Sequence, residues 1–319
     1  MGKYRGGLPQ LGGGICLTDG GLETTLIFHD GISLRLFAAF DLLKDENGRR
    51  VLRRYFERYA SIARAQEVGL VLETATWRAN RDWGQKLGYD APALAEANRR
   101  SVDLLLEIRR AFETPRTRIV ISGNLGPRGD GYKPGRQMSA EEAQSYHAEQ
   151  IEVFAGTDAD LVTALTLNYR EEAIGIVRAA KAAGMPVVIS FTTETDGRLP
   201  TGETLREAIT QTDQATDGYP AYYMVNCAHP THLASLTYDE GGWRERVRGL
   251  RANASKRSHA ELDESTDLDA GSPAELGQQY RELRGTFGRL AVVGGCCGTD
   301  HRHVEAIGLA MGSAVSGAT

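Results

Sequence analysis

The sequence predicts a single (β/α)8 barrel, and three observations carry that expectation. Short runs of β-branched residues alternate with amphipathic stretches from one end of the 319 residues to the other. No internal repeat, linker or shift of composition divides the chain, and a 41% hydrophobic content is enough to fill one large core. The strand-like runs stop at Asp, Glu, Thr, Asn and Cys, the polar types that a barrel gathers on the face where its strands end. A doubly wound open sheet is the alternative, but no Gly-x-Gly-x-x-Gly follows the first strand and no Walker-type loop is present.

The elements follow in order. Residues 15–18 form the first strand, stopped by Asp19-Gly-Gly-Leu-Glu23. An irregular excursion leads to a helix over 50–66, with Leu52, Phe56, Tyr59, Ile62 and Ala63 at helical spacing. The second strand, 70–73, runs into Thr74-Ala-Thr-Trp-Arg-Ala-Asn80 and a helix over 91–112. The third, 118–122, ends in Gly123-Asn-Leu-Gly-Pro127 and a glycine-rich loop reaching Gly135. Ser139 with Glu142 has the pattern of a capping box for a helix to residue 155. Strand four is 160–164, and the helix over 170–183 is stopped by Gly184 and Pro186. Strand five is 187–191, with a polar loop over 192–202 and a helix over 203–211. Strand six is 222–225, and 249–252 reads as a weak seventh. The polar stretch 255–271 is expected to be a surface insertion in an otherwise single domain spanning 1–319. A helix over 273–287, an eighth strand over 290–293 and a helix over 303–311 complete the set. The small residues 313–319 are expected to fray.

The stretch most charged with chemistry is Arg289-Leu-Ala-Val-Val-Gly-Gly-Cys-Cys-Gly-Thr299. Gly294 and Gly295 are expected to let the backbone turn sharply and pass close to another segment. Adjacent thiols bridge each other only with strain, but both can face one soft metal. A third ligand should stand at another strand end, and Asn226-Cys227 closes strand six. Cys16, inside a strand, reads instead as a small buried hydrophobe. His229, His301 and His303 are alternative ligands, though three thiols already complete a site with one open position. The spacing is not the Cys-x-x-Cys of a redox pair. On one barrel face these cysteines would be joined by Asp19, Glu23, Thr74, Thr76, Trp77, Asn124, Thr192, Glu194, Asn226 and Asn253. A metal already bound by three thiolates is a poor activator of water but takes a fourth sulfur well, so the residues point to activation of a small thiol.

Composition sets bounds on the partners. A formal net charge of -5, with both signs interspersed, argues against nucleic acid and against a basic membrane-binding surface. Four cysteines in so long a chain make no disulfide framework. Residues 1–10 lack the apolar segment of a secretory signal and no run is long enough to span a bilayer, so the expectation is a cytoplasmic protein acting on small molecules. Oligomeric state is not legible.

Asp19-Gly-Gly, Asn226-Cys227 and Gly294-Gly-Cys-Cys-Gly-Thr299 together resemble the homocysteine S-methyltransferase family. Gly123-Asn-Leu-Gly-Pro127, Tyr146-His147, Ala159-Asp-Leu and Ser190-Phe-Thr192 follow in the family's order, so the resemblance covers nearly the whole chain. It implies a zinc-containing barrel with Cys227, Cys296 and Cys297 as the Zn2+ ligands. It also implies transfer of a methyl group from an onium donor to homocysteine. Asp19 and the backbone at Gly20 and Gly21 would hold the amino-acid end of the thiol, and the loop with Thr76 and Trp77 would line its pocket. Glu23, Asn124 and Asn226 are the further candidate contacts. One departure stands out: Leu165 falls where the family carries a glutamate for the substrate's amino group. Either Glu23, Glu73 or Glu194 replaces that carboxylate, or the acceptor is a thiol lacking the amino group. A barrel that binds zinc or thiols without catalysis is the reading from another class.

Overall fold

The computed structural model describes residues 1–238 and 241–312; the expected fraying of 313–319 lies outside them. Eight parallel strands close into a barrel in the order β1 to β8. They are β1 (Cys16–Leu17), β2 (Gly69–Glu73), β3 (Ile119–Leu125), β4 (Leu161–Leu167), β5 (Val187–Thr192), β6 (Tyr222–Asn226), β7 (Val247–Ala252) and β8 (Val292–Gly295). The two residues of β1 are enough for closure, because Cys16 and Leu17 pair with Gly69 and Leu70 on one side and with Val292 and Val293 on the other.

Most crossings are made by helices with amphipathic pattern and defined starts. The helix Glu46–Ala65 begins where Asp45 accepts from the Gly48 amide, and it buries Leu52, Phe56, Tyr59 and Ala63. Ala140–Ala155 starts at the expected Ser139–Glu142 capping box, and Leu205–Thr216 starts at a second one, Thr204 with Glu207. Between β6 and β7 the crossing is made by two 3-10 segments, Pro230–Tyr238 and Gly242–Arg246. Among the described residues no helix is long and apolar enough to cross a membrane.

Several strands differ from their sequence-predicted extents. β3 and β4 continue to Leu125 and Leu167, and β7 is a six-residue strand with the buried Arg251 inside it. Polar residues near the strand ends face a shared interior and the strands run on past them, with a shift of register in β4 between Ala164 and Leu167. β8 includes its glycines, which are extended rather than turned. An added Cβ at Gly294 would collide with the Thr18 side chain, and one at Gly295 with Thr299. The turn falls instead at Gly298, with φ +79°.

The two barrel ends have different fillings. At the strand starts, Cys16, Val71, Val120, Leu161, Val188, Tyr222, Met224 and Val292 form an apolar layer covered by Tyr4 and Leu8. Arg5 ties that cover down, donating to the carbonyls of Ala155, Thr157 and Ala159. The strand ends surround a cavity of about 330 Å³.

Candidate active site

Three thiols meet at the strand ends. The sulfurs of Cys227, Cys296 and Cys297 all lie within 4.8 Å of one another. Those of Cys227 and Cys296 are in bonding contact, with Cα atoms 5.5 Å apart, while Cys297 is free. The proximity that lets two of these sulfurs join each other also lets all three, when reduced, bind one ion. A tetrahedral zinc with Zn–S of about 2.3 Å holds its sulfurs roughly 3.8 Å apart. The donor set therefore fits zinc, and among the described residues no other group of three metal-ligating side chains gathers.

The backbone is built to hold the thiols there. Cys227 has φ 55°, a left-handed conformation that a side chain rarely adopts and that persists only under constraint from its surroundings. Its amide donates to the Arg251 carbonyl, and its carbonyl accepts from Asn253 Nδ2 at 3.0 Å and from His259 Nε2 at 2.7 Å. Asn226 Nδ2 points at Cys227 Sγ from 3.3 Å. The same Asn226 side chain clasps Thr166, itself at φ 64°, accepting from its amide and donating to its hydroxyl, both at 2.8 Å. On the β8 side, the Cys296 amide donates to Ala252 O, and the Cys297 carbonyl accepts from the Ala254 amide. Thr299 Oγ1 donates to Cys296 O at 2.7 Å. Tyr132 Oη lies 3.4 Å from Cys297 Sγ. Burial pushes the Cys297 thiol up, against that hydrogen bond. A nearby cation is what would draw its proton off.

Beside the sulfurs lies a buried charge cluster centred on Arg251. Its guanidinium donates to Glu73, to Asp19 Oδ1 at 2.6 Å, and to the carbonyls of Gly20 at 3.1 Å and Gly295 at 3.0 Å. Tyr55 Oη completes Asp19, donating to Oδ2 at 3.0 Å. Burial raises Asp19 and lifts Glu73 to about 7, with Arg251 opposing both shifts. Burial also lifts Glu23 to about 7, opposed first by a hydrogen bond from its own backbone and then by the charges of Arg78 and Arg251.

The candidate residues separate accordingly. Asp19, Gly20, Gly21, Glu23, Trp77, Asn124, Leu165, Asn226 and the three cysteines line one cavity. Thr76 does not: its hydroxyl is turned away, donating to Asn124 O at 2.8 Å and meeting Thr74 Oγ1 at 2.6 Å. Glu194 pairs with His259 outside the cavity, and Glu73 is committed to Arg251. Glu23 is thus the remaining one of the three carboxylates considered as replacements at Leu165. His229 bonds Thr231, and His303 sits between Asp300 and Ala270 O; neither joins the sulfurs. Gly21 is required by packing, since a Cβ there would meet the Cys296 carbonyl at 2.5 Å. Sequence reasoning missed Arg251, Tyr132, His259 and Arg78. Of these, Arg78 stood in plain view within a strand-end segment already singled out.

Comparisons with known proteins bear on the family and the fold. The model of a family described as homocysteine S-methyltransferase matches residues 16–311. A maize protein named homocysteine S-methyltransferase 4 is 25% identical over 330 residues, covering 96% of this chain and 92% of its own. The Escherichia coli homocysteine methyltransferase MmuM shares the fold. Its oxidized form has a TM-score of 0.72 at 20% identity, covering 92% of this chain and 94% of its own. Its metallated form has a TM-score of 0.71 at 18% identity, covering 94% and 97%. With three thiols at the ends of β6 and β8 of a closed (β/α)8 barrel and a family match along nearly its whole length, this chain belongs to the homocysteine S-methyltransferase family and is an S-methyltransferase.

Proposed function

We propose that the chain is a zinc-dependent methyltransferase, one catalytic domain, that moves a methyl group from an onium donor to homocysteine and so forms methionine. The convergence of Cys227, Cys296 and Cys297 in one cavity is the observation that carries this reading. Zinc bound to the three sulfurs would leave one position for a substrate thiol and supply the positive charge that holds it deprotonated at neutral pH.

The protein's own groups then have separable tasks. Asn226 and Tyr132 direct polar hydrogens at the ligand sulfurs and hold them in place. Asp19, Gly20 and Gly21 shape the wall beside the thiol, with Asp19 kept in register by Arg251 and Tyr55. Glu23 and Asn124 offer acceptors for an amino group in place of the carboxylate missing at Leu165. Four carboxyl groups, Asp19, Glu23, Glu73 and Asp130, line the cavity with two guanidinium groups, Arg78 and Arg251, and that excess favours a positively charged donor. In transfer, a new sulfur–methyl bond forms as the donor's onium–methyl bond breaks, and its electron pair leaves on the onium atom, which becomes neutral. No side chain has to move a proton in that step, so positioning is the main catalytic task. The need for free thiols suits a reducing compartment such as the cytoplasm.

The test is metal content under reducing conditions, followed by zinc-edge absorption with homocysteine and assays with S-methylmethionine, betaine and S-adenosylmethionine. Stoichiometric zinc, a fourth sulfur in its shell and methionine formed from one donor are expected. Zinc-loaded protein that takes up no thiol sulfur and transfers no methyl group would overturn the proposal.

A further inference from the structure

We infer that Arg78 selects the acceptor, holding the carboxylate of an α-amino thiol whose ammonium group lies against Glu23 and Asn124. This rests on the methyltransferase reading and adds to it the element that recognises the substrate's acid group.

The cavity presents unused hydrogen-bonding groups of both polarities. Among the described residues Asn124 Oδ1 is a buried acceptor without a partner, and Arg78 Nε is a buried donor without one. Both residues line the cavity that holds the three cysteines, as do Glu23 and Leu165. Buried polar atoms of this kind are uncommon and call for a partner. Among the described residues Glu23 has none of the tight guanidinium contacts that Asp19 and Glu73 make with Arg251. Two acceptors and one cationic donor, in one cavity, are the complement of a zwitterion.

Arg78 is fixed before any ligand arrives. One terminal nitrogen donates to Leu36 O, and another lies 3.9 Å from Asp130 Oδ2. Its guanidinium carbon sits 4.0 Å from the ring centroid of Trp83 and 5.1 Å from that of Trp77. A planar cation clamped by a carbonyl and aromatic faces loses little further freedom when it takes up a carboxylate. A thiol without the acid group would leave Arg78 Nε unsatisfied, and one without the amino group would leave Glu23 and Asn124 bare. Unpaired buried groups of that kind discriminate more strongly than a change of size.

The experiment uses binding of thioether products, which requires neither methyl donor nor turnover. Methionine and 3-(methylthio)propylamine, the same molecule without its carboxylate, are titrated calorimetrically into the wild type, Arg78→Gln and Arg78→Lys. The wild type should prefer methionine. Arg78→Gln should weaken methionine about 10–100-fold, the range of a lost charge-assisted hydrogen bond, and leave the amine within about 3-fold. Arg78→Lys should fall between, keeping the charge but not the fork, and it provides the same comparison should Arg78→Gln not fold. Equal weakening of both ligands, or of neither, would overturn the assignment. A wild type that binds neither ligand would overturn the methyltransferase reading as well, and that failure is visible before any variant is made.

Discussion

At the strand starts Cys16 lies among Val71, Val120, Leu161 and Val292; at the strand ends Cys227, Cys296 and Cys297 lie among Asn226, Tyr132 and a cluster of charges. The side chain is the same, and burial acts on it at both ends. Cys16 is pushed up to about 12, with burial as the sole cause, and is left as a small apolar filler. Cys297 is also raised by burial, yet a phenol faces its sulfur and two more sulfurs stand within 4.8 Å. A thiol is thus put to use by what the backbone places around it, and burial alone silences it.

The largest expected effect exploits this contrast. Cys227→Ser, Cys296→Ser or Cys297→Ser should each abolish stoichiometric zinc and lower methyl transfer by at least about 1,000-fold, with the circular dichroism spectrum unchanged. Cys16→Ala should leave kcat/KM within about 3-fold and cost only about 1–2 kcal/mol in urea unfolding. Equal loss of activity at both ends would break the comparison. Arg251 offers the next contrast, because the polar end depends on a cation where the apolar end depends on packing. Arg251→Met should destabilise the fold by about 3–5 kcal/mol at pH 8, by leaving Asp19 and Glu73 without their partner. That cost should shrink at acid pH, where the carboxylates can be protonated.

The smallest effect makes the upper end more like the lower one. Glu23 has a folded value of about 7 against an ordinary 4.5, so folding favours its protonated form. That contribution is fully present below about pH 4.5 and is lost as pH rises through about 7. Glu23→Gln should therefore match the wild type below pH 4.5 and exceed it in stability above pH 7, by on the order of 1–3 kcal/mol. Homocysteine binding should move the other way and weaken in the variant. Unfolding curves that run parallel across this pH range would remove Glu23 from the cavity's electrostatics.

Much of this was legible in the sequence, for identifiable reasons. Strands such as Val187–Thr192 announce themselves by β-branched residues, and the Gly294-Gly-Cys-Cys-Gly298 stretch by paired thiols among glycines, although Gly294 and Gly295 serve close packing against Thr18 and Thr299 rather than a turn. Arg251 was not legible. In Val-Arg-Gly-Leu-Arg-Ala, two arginines make β7 look like half-exposed surface, and the partner Asp19 lies 232 positions away. Thr76 misled for the opposite reason: its place just past a strand predicts a cavity contact, but its hydroxyl finds Asn124 O instead. Arg78 sat within a segment already singled out, but only the fold reveals that its Nε–H has no acceptor among the described residues.

Arg251 has a consequence for how the protein is made. Its guanidinium bonds Asp19, just past β1, and Glu73 of β2, and it is the first of the groups that offset their burial, yet it is encoded in the seventh strand. During synthesis the two carboxylates emerge long before their counter-ion, and until Arg251 is added nothing offsets the cost of burying them beside each other. The thiols keep the same timetable, since Cys227 precedes Arg251 and the Cys296–Cys297 pair comes last. The ribosome thus delivers the completed cation cluster and then two of the three sulfurs within the final quarter of the chain. A product truncated before β8 would have neither the closed barrel nor two of the three sulfurs that meet at its mouth.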